Sequence, residues 1–217
     1  IHISENNREN EDVATRYSRT PTDILKDSGL LNRRCVYGHG VHLSDSDLAK
    51  MSGNAAVAHC PGSNLKLASG IADITKYLRH GITVALGTDG CSSSNDLDMW
   101  PVMRLAGYLI AQNSGPQNLD AERIFRMASI EGARALGMAD SIGSLEVGKR
   151  ADIIAVELNS PHLIPIHNLF AQLVFAAGRS DVSDVFVDGE QVVEDYRSTK
   201  LDFSQLQKDV TNRIAQL

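Results

Sequence analysis

Four short apolar runs, each ending at or beside a residue that can bind a metal or move a proton, constrain the fold of this chain more than any other feature. They occupy residues 1–4, 35–39, 55–59 and 82–89. Continuous runs of small and β-branched residues are typical of parallel strands that are buried on both faces. The residues at their ends are His2, His39, His59 and Asp89.

Helical segments are predicted between these runs from their capping residues and stop signals. They are residues 20–29 with Pro21 in the first turn, residues 44–52 with the capping residue Ser44, and residues 71–80, which end at Gly81. This alternation predicts a parallel α/β architecture. In a (β/α)8 barrel the chemistry lies at the C-terminal ends of the strands, and these units would make half of such a barrel. An open doubly wound sheet is the alternative, but it would leave His2 and Asp89 without a closed cavity.

The pattern changes after Asp89. Helices are predicted for residues 98–112 and 120–136, a strand for residues 151–156, a hairpin turning at Asp188 and Gly189 for residues 182–193, and a terminal amphipathic helix for residues 203–217.

Composition excludes several classes of function. The net charge is -6 and the chain has no run of Lys and Arg, so we expect no nucleic-acid partner. No apolar stretch approaches the about 20 residues that span a bilayer, so we expect no membrane partner. The three cysteines form no Cys-x-x-Cys pair, which favours a reducing, cytoplasmic setting.

Two carboxylates are candidates for proton transfer. Glu5 follows His2 by three residues, a spacing that places a metal ligand beside a carboxylate, although this pattern alone is a weak signal. Asp89 directly follows an apolar run, where a buried carboxylate is costly unless it meets a cation or hydrogen-bond donors. The alternative for Asp89 is a cap on the next helix, a role that residues 92–95 can also fill.

The histidines differ in how well their positions in the sequence suit a functional site. His39 and His42 form a His-x-x-His pattern, but the flanking glycines indicate a strand end and a turn, so we expect only His39 to point into a site. We interpret His42 as structural and His59 as structural or as part of the rim. No role is assigned to the remaining ones, which are His80, His162 and His167.

As an ordered set, these motifs resemble the amidohydrolase superfamily, in its branch of chlorohydrolase-like enzymes and nucleobase deaminases. The segments that carry the resemblance are residues 1–5, 38–44, 59–70, 86–90, 95–99, 142–152 and 182–189. The resemblance implies the C-terminal half of a (β/α)8 metallo-hydrolase barrel over residues 1–150. This half-barrel would be followed by part of a small β-sandwich domain over residues 151–196 and by a C-terminal helix over residues 197–217.

The resemblance also implies a function: hydrolytic deamination of an adenine nucleoside such as 5′-methylthioadenosine or S-adenosylhomocysteine. His2 and Asp89 would ligate one divalent metal, Zn2+ or alternatively Fe2+. Glu5 would carry protons to and from the substrate ring, and Asp89 would be the general base. His39 would hydrogen-bond the attacking water or the tetrahedral intermediate, and Ser93 would lie beside the substrate, so that Glu5, His39 and Ser93 contact it.

The sequence also departs from the family pattern. Gly40 stands where Cys is common and Ser94 where Asn is usual, and no His-x-His pair occurs. A catalytic zinc usually keeps three protein ligands, so two should bind it weakly. We therefore expect this chain, which opens at Ile1 without a Met, to be part of a larger polypeptide whose N-terminal half completes the barrel.

Two alternative functions stay open at this point, as does the location of one apolar segment. One is another heteroring amino- or chlorohydrolase, such as a guanine or triazine enzyme, and a second is an inactive half-barrel. The apolar residues 169–177 are a candidate homodimer contact, with a position in the core as the alternative reading of that segment.

Overall fold

The computed structural model describes residues 1–51, 53 and 55–216. Its first sheet contains four parallel strands in the order β1-β2-β3-β4. The strands are β1 (His2–Ile3), β2 (Cys35–His39), β3 (Ala55–His59) and β4 (Thr83–Leu86). The predicted parallel α/β sheet is therefore confirmed, and all four strands end at the same edge.

Helices connect these strands, and several begin where the sequence supplies a cap. They are α1 (Asn7–Tyr17), α2 (Pro21–Asp27), α3 (Asp45–Lys50), α4 (Pro61–Lys66) and α5 (Ile74–Arg79). Thr20 and Ser44 form capping boxes before α2 and α3, in which the side chain accepts from the third backbone amide of the helix. The predicted helix end at Ser52 lies outside the described residues.

The core follows from the alternation of side chains along the strands. Tyr37, Val57 and Val84 lie in register on neighbouring strands and are buried in the large cluster beneath the helices. Smaller residues on the other face, among them Ala56 and Ala85, form a second cluster. Burial on both faces explains why the strands are continuous apolar runs.

The chain after β4 is mainly helical and then forms a second sheet. Its helices are α6 (Cys91–Ser94), α7 (Met99–Ser114), α8 (Ala121–Met127), α9 (Ile130–Leu136), α10 (Leu169–Phe175) and α11 (Phe203–Ile214). The second sheet is antiparallel, in the order β5 (Ile153–Val156), β6 (Val182–Val187), β7 (Glu190–Glu194) and β8 (Arg197–Ser198). The predicted hairpin at Asp188 and Gly189 is confirmed, with positive φ at both residues.

One predicted helix is wrong as a single element. Residues 120–136 form two helices, α8 and α9, because Ser129 leaves the helical conformation at φ -128° and ψ -97°. Its hydroxyl donates to the Phe125 carbonyl, a local side-chain bond that competes with the helical ladder. In α10, Val174 is fully buried in the core, and Ala177 just beyond the helix is buried with it.

The terminal helix α11 buries none of its described residues. Its predicted last residue, Leu217, lies outside the described part of the chain. No helix among the described residues is long and apolar enough to cross a membrane.

Candidate active site

The predicted site residues gather at the C-terminal edge of the parallel sheet. His2 lies in β1, Glu5 follows that strand, His39 is the last residue of β2, and Asp89 follows β4. Parallel strands bring these positions to one edge although they are far apart in the sequence.

Three of these side chains form a tight cluster. Among the residues that the structure describes, His2, Glu5 and His39 form a group in which one ligand atom from each lies within 4.8 Å of the others. The two imidazole rings meet edge to face, with their centroids 4.6 Å apart. Glu5 Oε2 lies 3.8 Å from His39 Nε2. An imidazole pair and a carboxylate at this spacing can hold a cation or exchange protons with a ligand.

The chain segment after β1 holds Glu5 in place. Glu9, in the first turn of α1, accepts hydrogen bonds from the Ser4 and Glu5 backbone amides at 2.8 and 2.9 Å. The side chain of Glu5 in turn accepts from Ser69 Oγ at 3.3 Å. Ser4 has a φ of 47°, which turns the backbone sharply at the end of the strand.

His39 is the most deeply buried member of the cluster, with 1 % of its surface exposed. Its Nδ1 lies 3.0 Å from Oδ1 of Asn64 in α4, which leaves Nε2 facing Glu5. The backbone at His39 is left-handed, at φ 68°. Conformations of this kind cost free energy in non-glycine residues and cluster at functional sites.

Gly38 allows His2 to approach His39. A Cβ atom at position 38 would lie 2.9 Å from Cδ2 of His2, closer than carbon atoms pack. The absence of a side chain at Gly38 therefore sets where the His2 ring can lie.

Asp89 lies near this cluster but is not a member of it. It also has a left-handed φ, of 59°, and its Oδ2 accepts a hydrogen bond from Ser63 Oγ at 2.7 Å. Burial alone would raise the pKa of Asp89, but hydrogen bonds from Ser63, the Gly90 backbone and the Ser93 side chain outweigh burial and hold the pKa below its ordinary value. Protonation of His39 would lower that pKa further. Asp89 is thus held as a carboxylate.

Two histidines outside the cluster have contrasting surroundings. His42 Nε2 lies 2.6 Å from the Ser69 carbonyl oxygen, a bond that ties together the loops after β2 and α4. His59 is 1 % exposed, and neither of its ring nitrogens has a hydrogen-bond partner among the described residues. Burial, and then the neighbouring charge of His39, lowers the pKa of His59 to about 4, so this imidazole is neutral.

The residue types present fit a divalent metal such as zinc. Imidazole nitrogen and carboxylate oxygen are ligands that zinc accepts, and His2, Glu5, His39 and Asp89 supply both kinds. Of the two predicted ligands, the structure places His2 inside the tight cluster and Asp89 beside it.

Sequence reasoning missed the residues that hold these side chains. Ser63, Asn64 and Ser69 contact Asp89, His39 and Glu5, respectively. A run of small polar residues after an apolar strand is the signal that could have drawn attention to them, but such runs usually form solvent-exposed turns.

Comparison with known proteins places the chain in a family. The model of the amidohydrolase family matches residues 1–192. A 5-methylthioadenosine/S-adenosylhomocysteine deaminase from Desulforudis audaxviator is 44% identical over 205 residues, which cover 93% of this chain and 47% of that protein. A 5′-deoxyadenosine deaminase from Methanosphaera stadtmanae is 40% identical over 90% of this chain and 46% of its own length.

Solved structures show the same likeness. An adenosine deaminase from Xanthomonas campestris with bound zinc superposes with a TM-score of 0.94 at 36% identity, over 100% of this chain and 50% of that one. The atrazine chlorohydrolase of Arthrobacter aurescens, complexed with zinc, superposes with a TM-score of 0.90 at 27% identity, over 97% of this chain and 47% of that one. The chain thus spans about half the length of the relatives that it matches. The α/β fold expected for half of such a chain is confirmed.

Proposed function

Because the chain belongs to the amidohydrolase family, we propose that it supplies part of the active site of a metal-dependent deaminase acting on an adenine nucleoside. The substrates we propose are 5′-methylthioadenosine and S-adenosylhomocysteine. The observation that carries this proposal is the cluster of His2, Glu5 and His39 at the edge of the sheet, with Asp89 beside it. The relatives named as deaminases of these nucleosides support the choice of substrate.

The proposed metal ligands in this chain are His2 and Asp89, and the proposed metal is zinc, with Fe2+ as the alternative. The zinc-bound relatives support the choice of zinc. Such a cation would acidify a water molecule to a pKa of about 7, so that hydroxide forms at neutral pH. Catalytic zinc sites usually have three protein ligands. We propose that the segment corresponding to the other half of the relatives supplies the remaining ones.

The reaction replaces the amino group of the adenine ring with oxygen. Asp89 accepts the proton of the attacking water, because its carboxylate is held ionised by Ser63, Gly90 and Ser93. The oxygen bonds to the amino-bearing carbon while Glu5 donates a proton to the adjacent ring nitrogen. Asp89 then passes its proton to the departing amine, which leaves as ammonia. The hydroxyl of the intermediate returns its proton to Glu5, so that the ring keeps a carbonyl oxygen and both carboxyl groups regain their starting states.

The other side chains bind and orient. Nε2 of His39 lies 3.8 Å from Glu5 Oε2, a position from which it hydrogen-bonds the attacking water or the hydroxyl group of the tetrahedral intermediate. The burial of His39 strengthens such a hydrogen bond, because bulk solvent does not compete for its ring nitrogen. Ser93 contacts the substrate beside Asp89.

The test is ammonia release from 5′-methylthioadenosine by the full natural polypeptide that contains this chain, loaded with zinc. We expect ammonia and the 6-oxo product in equal amounts. Asp89→Asn should abolish turnover while the protein stays folded, because the amide cannot accept the proton. Near-native turnover in a folded Asp89→Asn variant, or no release from any adenine nucleoside by the zinc-loaded wild type, would refute the proposal.

A second candidate function comes from the similarity to the atrazine chlorohydrolase. The same assay distinguishes it, because hydrolysis of a chlorinated triazine releases chloride rather than ammonia. The lower identity to that enzyme, 27% against 44% for the deaminase relative, favours deamination.

A further inference from the structure

One short segment contacts Glu5, His39 and Asp89, three of the side chains to which we assign proton transfer or substrate contact. Residues 63–69 follow β3, a strand to which the mechanism above assigns no residue. The contacts are Ser63 Oγ to Asp89 Oδ2 at 2.7 Å, Asn64 Oδ1 to His39 Nδ1 at 3.0 Å and Ser69 Oγ to Glu5 Oε1 at 3.3 Å. We propose that this segment is a positioning element for the reaction, an inference that rests on the proposed function for its catalytic consequence.

Burial makes these contacts costly to lose. Ser63 is 0 % exposed and Asn64 is 1 % exposed, so neither side chain can turn to bulk water. A buried polar group without a partner is destabilising. The Ser63 hydroxyl and the Asn64 amide oxygen each meet a functional side chain, whereas Asn64 Nδ2 has no hydrogen-bond partner among the described residues. Both residues lie in α4, where Asn64 N donates to the Cys60 carbonyl at 3.0 Å. The two contacts are therefore built on the same rigid turn.

Asn64 also determines which nitrogen of His39 carries the proton. With the amide oxygen toward the ring, Nδ1 of His39 is the donor, and Nε2 presents its lone pair to the site. Nε2 then accepts a hydrogen bond from the attacking water. Without Asn64, the neutral ring could place its proton on either nitrogen.

The hydrogen bond from Ser69 gives the two carboxylate oxygens of Glu5 different partners. Oε1 accepts from Ser69, while Oε2 faces His39. The oxygen free to exchange a proton with the substrate ring is therefore Oε2. The carbonyl of Ser69 is fixed by His42 Nε2 at 2.6 Å, which gives the loop a second anchor.

The first experiment reads the His39 tautomer in the zinc-loaded full natural polypeptide by nitrogen-15 spectroscopy of its histidine rings. This measurement requires no turnover, so it remains decisive even if the proposed deaminase activity fails. We expect Nδ1 of His39 to be protonated in the wild type, and Asn64→Ala to move population to the Nε2-protonated form. A wild-type His39 protonated only at Nε2, or an unchanged tautomer in Asn64→Ala, would overturn the role of Asn64.

The second experiment compares kinetics of Ser63→Ala and Ser69→Ala with those of Ser129→Ala. Ser129 is the matched control, since its hydroxyl bonds only a helix carbonyl outside the site. We expect kcat to fall about 10- to 100-fold in the first two variants, as for other partners of active-site side chains. KM should change little, because the contacts position catalytic groups rather than the nucleoside.

A conservative substitution at Ser69 distinguishes an effect on the position of Glu5 from an effect on folding. Ser69→Thr keeps the hydroxyl and should recover most of the kcat lost in Ser69→Ala. If Ser63→Ala does not fold, the Ser69 pair still decides the inference, because Ser69 lies at 8 % exposure in a loop rather than in a helix. Unchanged kcat in Ser69→Ala, or an equal loss in Ser129→Ala, would overturn the proposal.

Discussion

Replacing Gly38 with alanine should disable the site without unfolding the protein. The new Cβ would lie 2.9 Å from Cδ2 and 3.6 Å from Nε2 of His2. Because carbon atoms pack at about 3.5–4.0 Å, the His2 ring must move away by roughly 0.6–1 Å. His2 is exposed, so the ring can move without disturbing the core.

A displacement of this size is large for an active site. A misplacement of about 1 Å can cost on the order of 100-fold in rate, which corresponds to about 2.7 kcal/mol of transition-state stabilisation. We expect Gly38→Ala to lower kcat/KM between about 10- and 100-fold and to weaken zinc binding. Gly38 does not have a positive φ, so alanine fits its backbone and the melting temperature should not fall.

The assay is ammonia release and zinc titration on the full natural polypeptide, with thermal unfolding measured in parallel. Gly132→Ala is the matched control, because the nearest atom to its new Cβ would be 3.8 Å away. A Gly38→Ala variant that keeps wild-type activity and zinc affinity would refute the reasoning that Gly38 fixes the position of His2.

Three further predictions concern stability. Tyr77→Phe should lower the free energy of unfolding by about 1 kcal/mol in urea denaturation, because the Gly40 carbonyl loses the hydrogen bond donated by the buried tyrosine hydroxyl. Gly107→Ala should cost about 1–3 kcal/mol by overpacking, since its Cβ would lie 2.8 Å from a phenylalanine ring of α10; an unchanged melting temperature would contradict this packing. A hydrogen bond from Lys50 lowers the pKa of Asp23 to about 2 from 3.8, so its contribution to stability is present above pH 4 and lost as the pH falls toward 2. Melting curves of Asp23→Asn should show a weaker loss of stability across that range than the wild type, and identical pH profiles would refute the assignment.

The sequence predicted the parallel sheet well because its strands are apolar on both faces. The strands at residues 35–39 and 55–59 have the predicted bounds. Helix α1 was not predicted, since it buries none of its residues and so lacks an apolar stripe. The split between α8 and α9 depends on the side-chain bond of Ser129, which apolar periodicity does not report.

The location of the candidate site could be predicted from the sequence, but the contacts that hold its side chains could not. Parallel strands bring their C-terminal ends to one edge, so the proximity of His2 and His39 follows from the order of the strands. The contacts of Ser63 and Asn64 could not be predicted, because they depend on how the short helix α4 packs across the ends of β2 and β4, the two strands that flank β3.

The central claim, that these side chains form a metal site, is tested most directly by elemental analysis of the full natural polypeptide. We expect about one zinc or iron ion per chain, as in other catalytic sites of this ligand type. His2→Gln should lose the metal, whereas His80→Gln, which alters an imidazole paired with Asp45 outside the cluster, should keep it. A metal-free wild type, or a His2→Gln variant with wild-type metal content, would contradict the account.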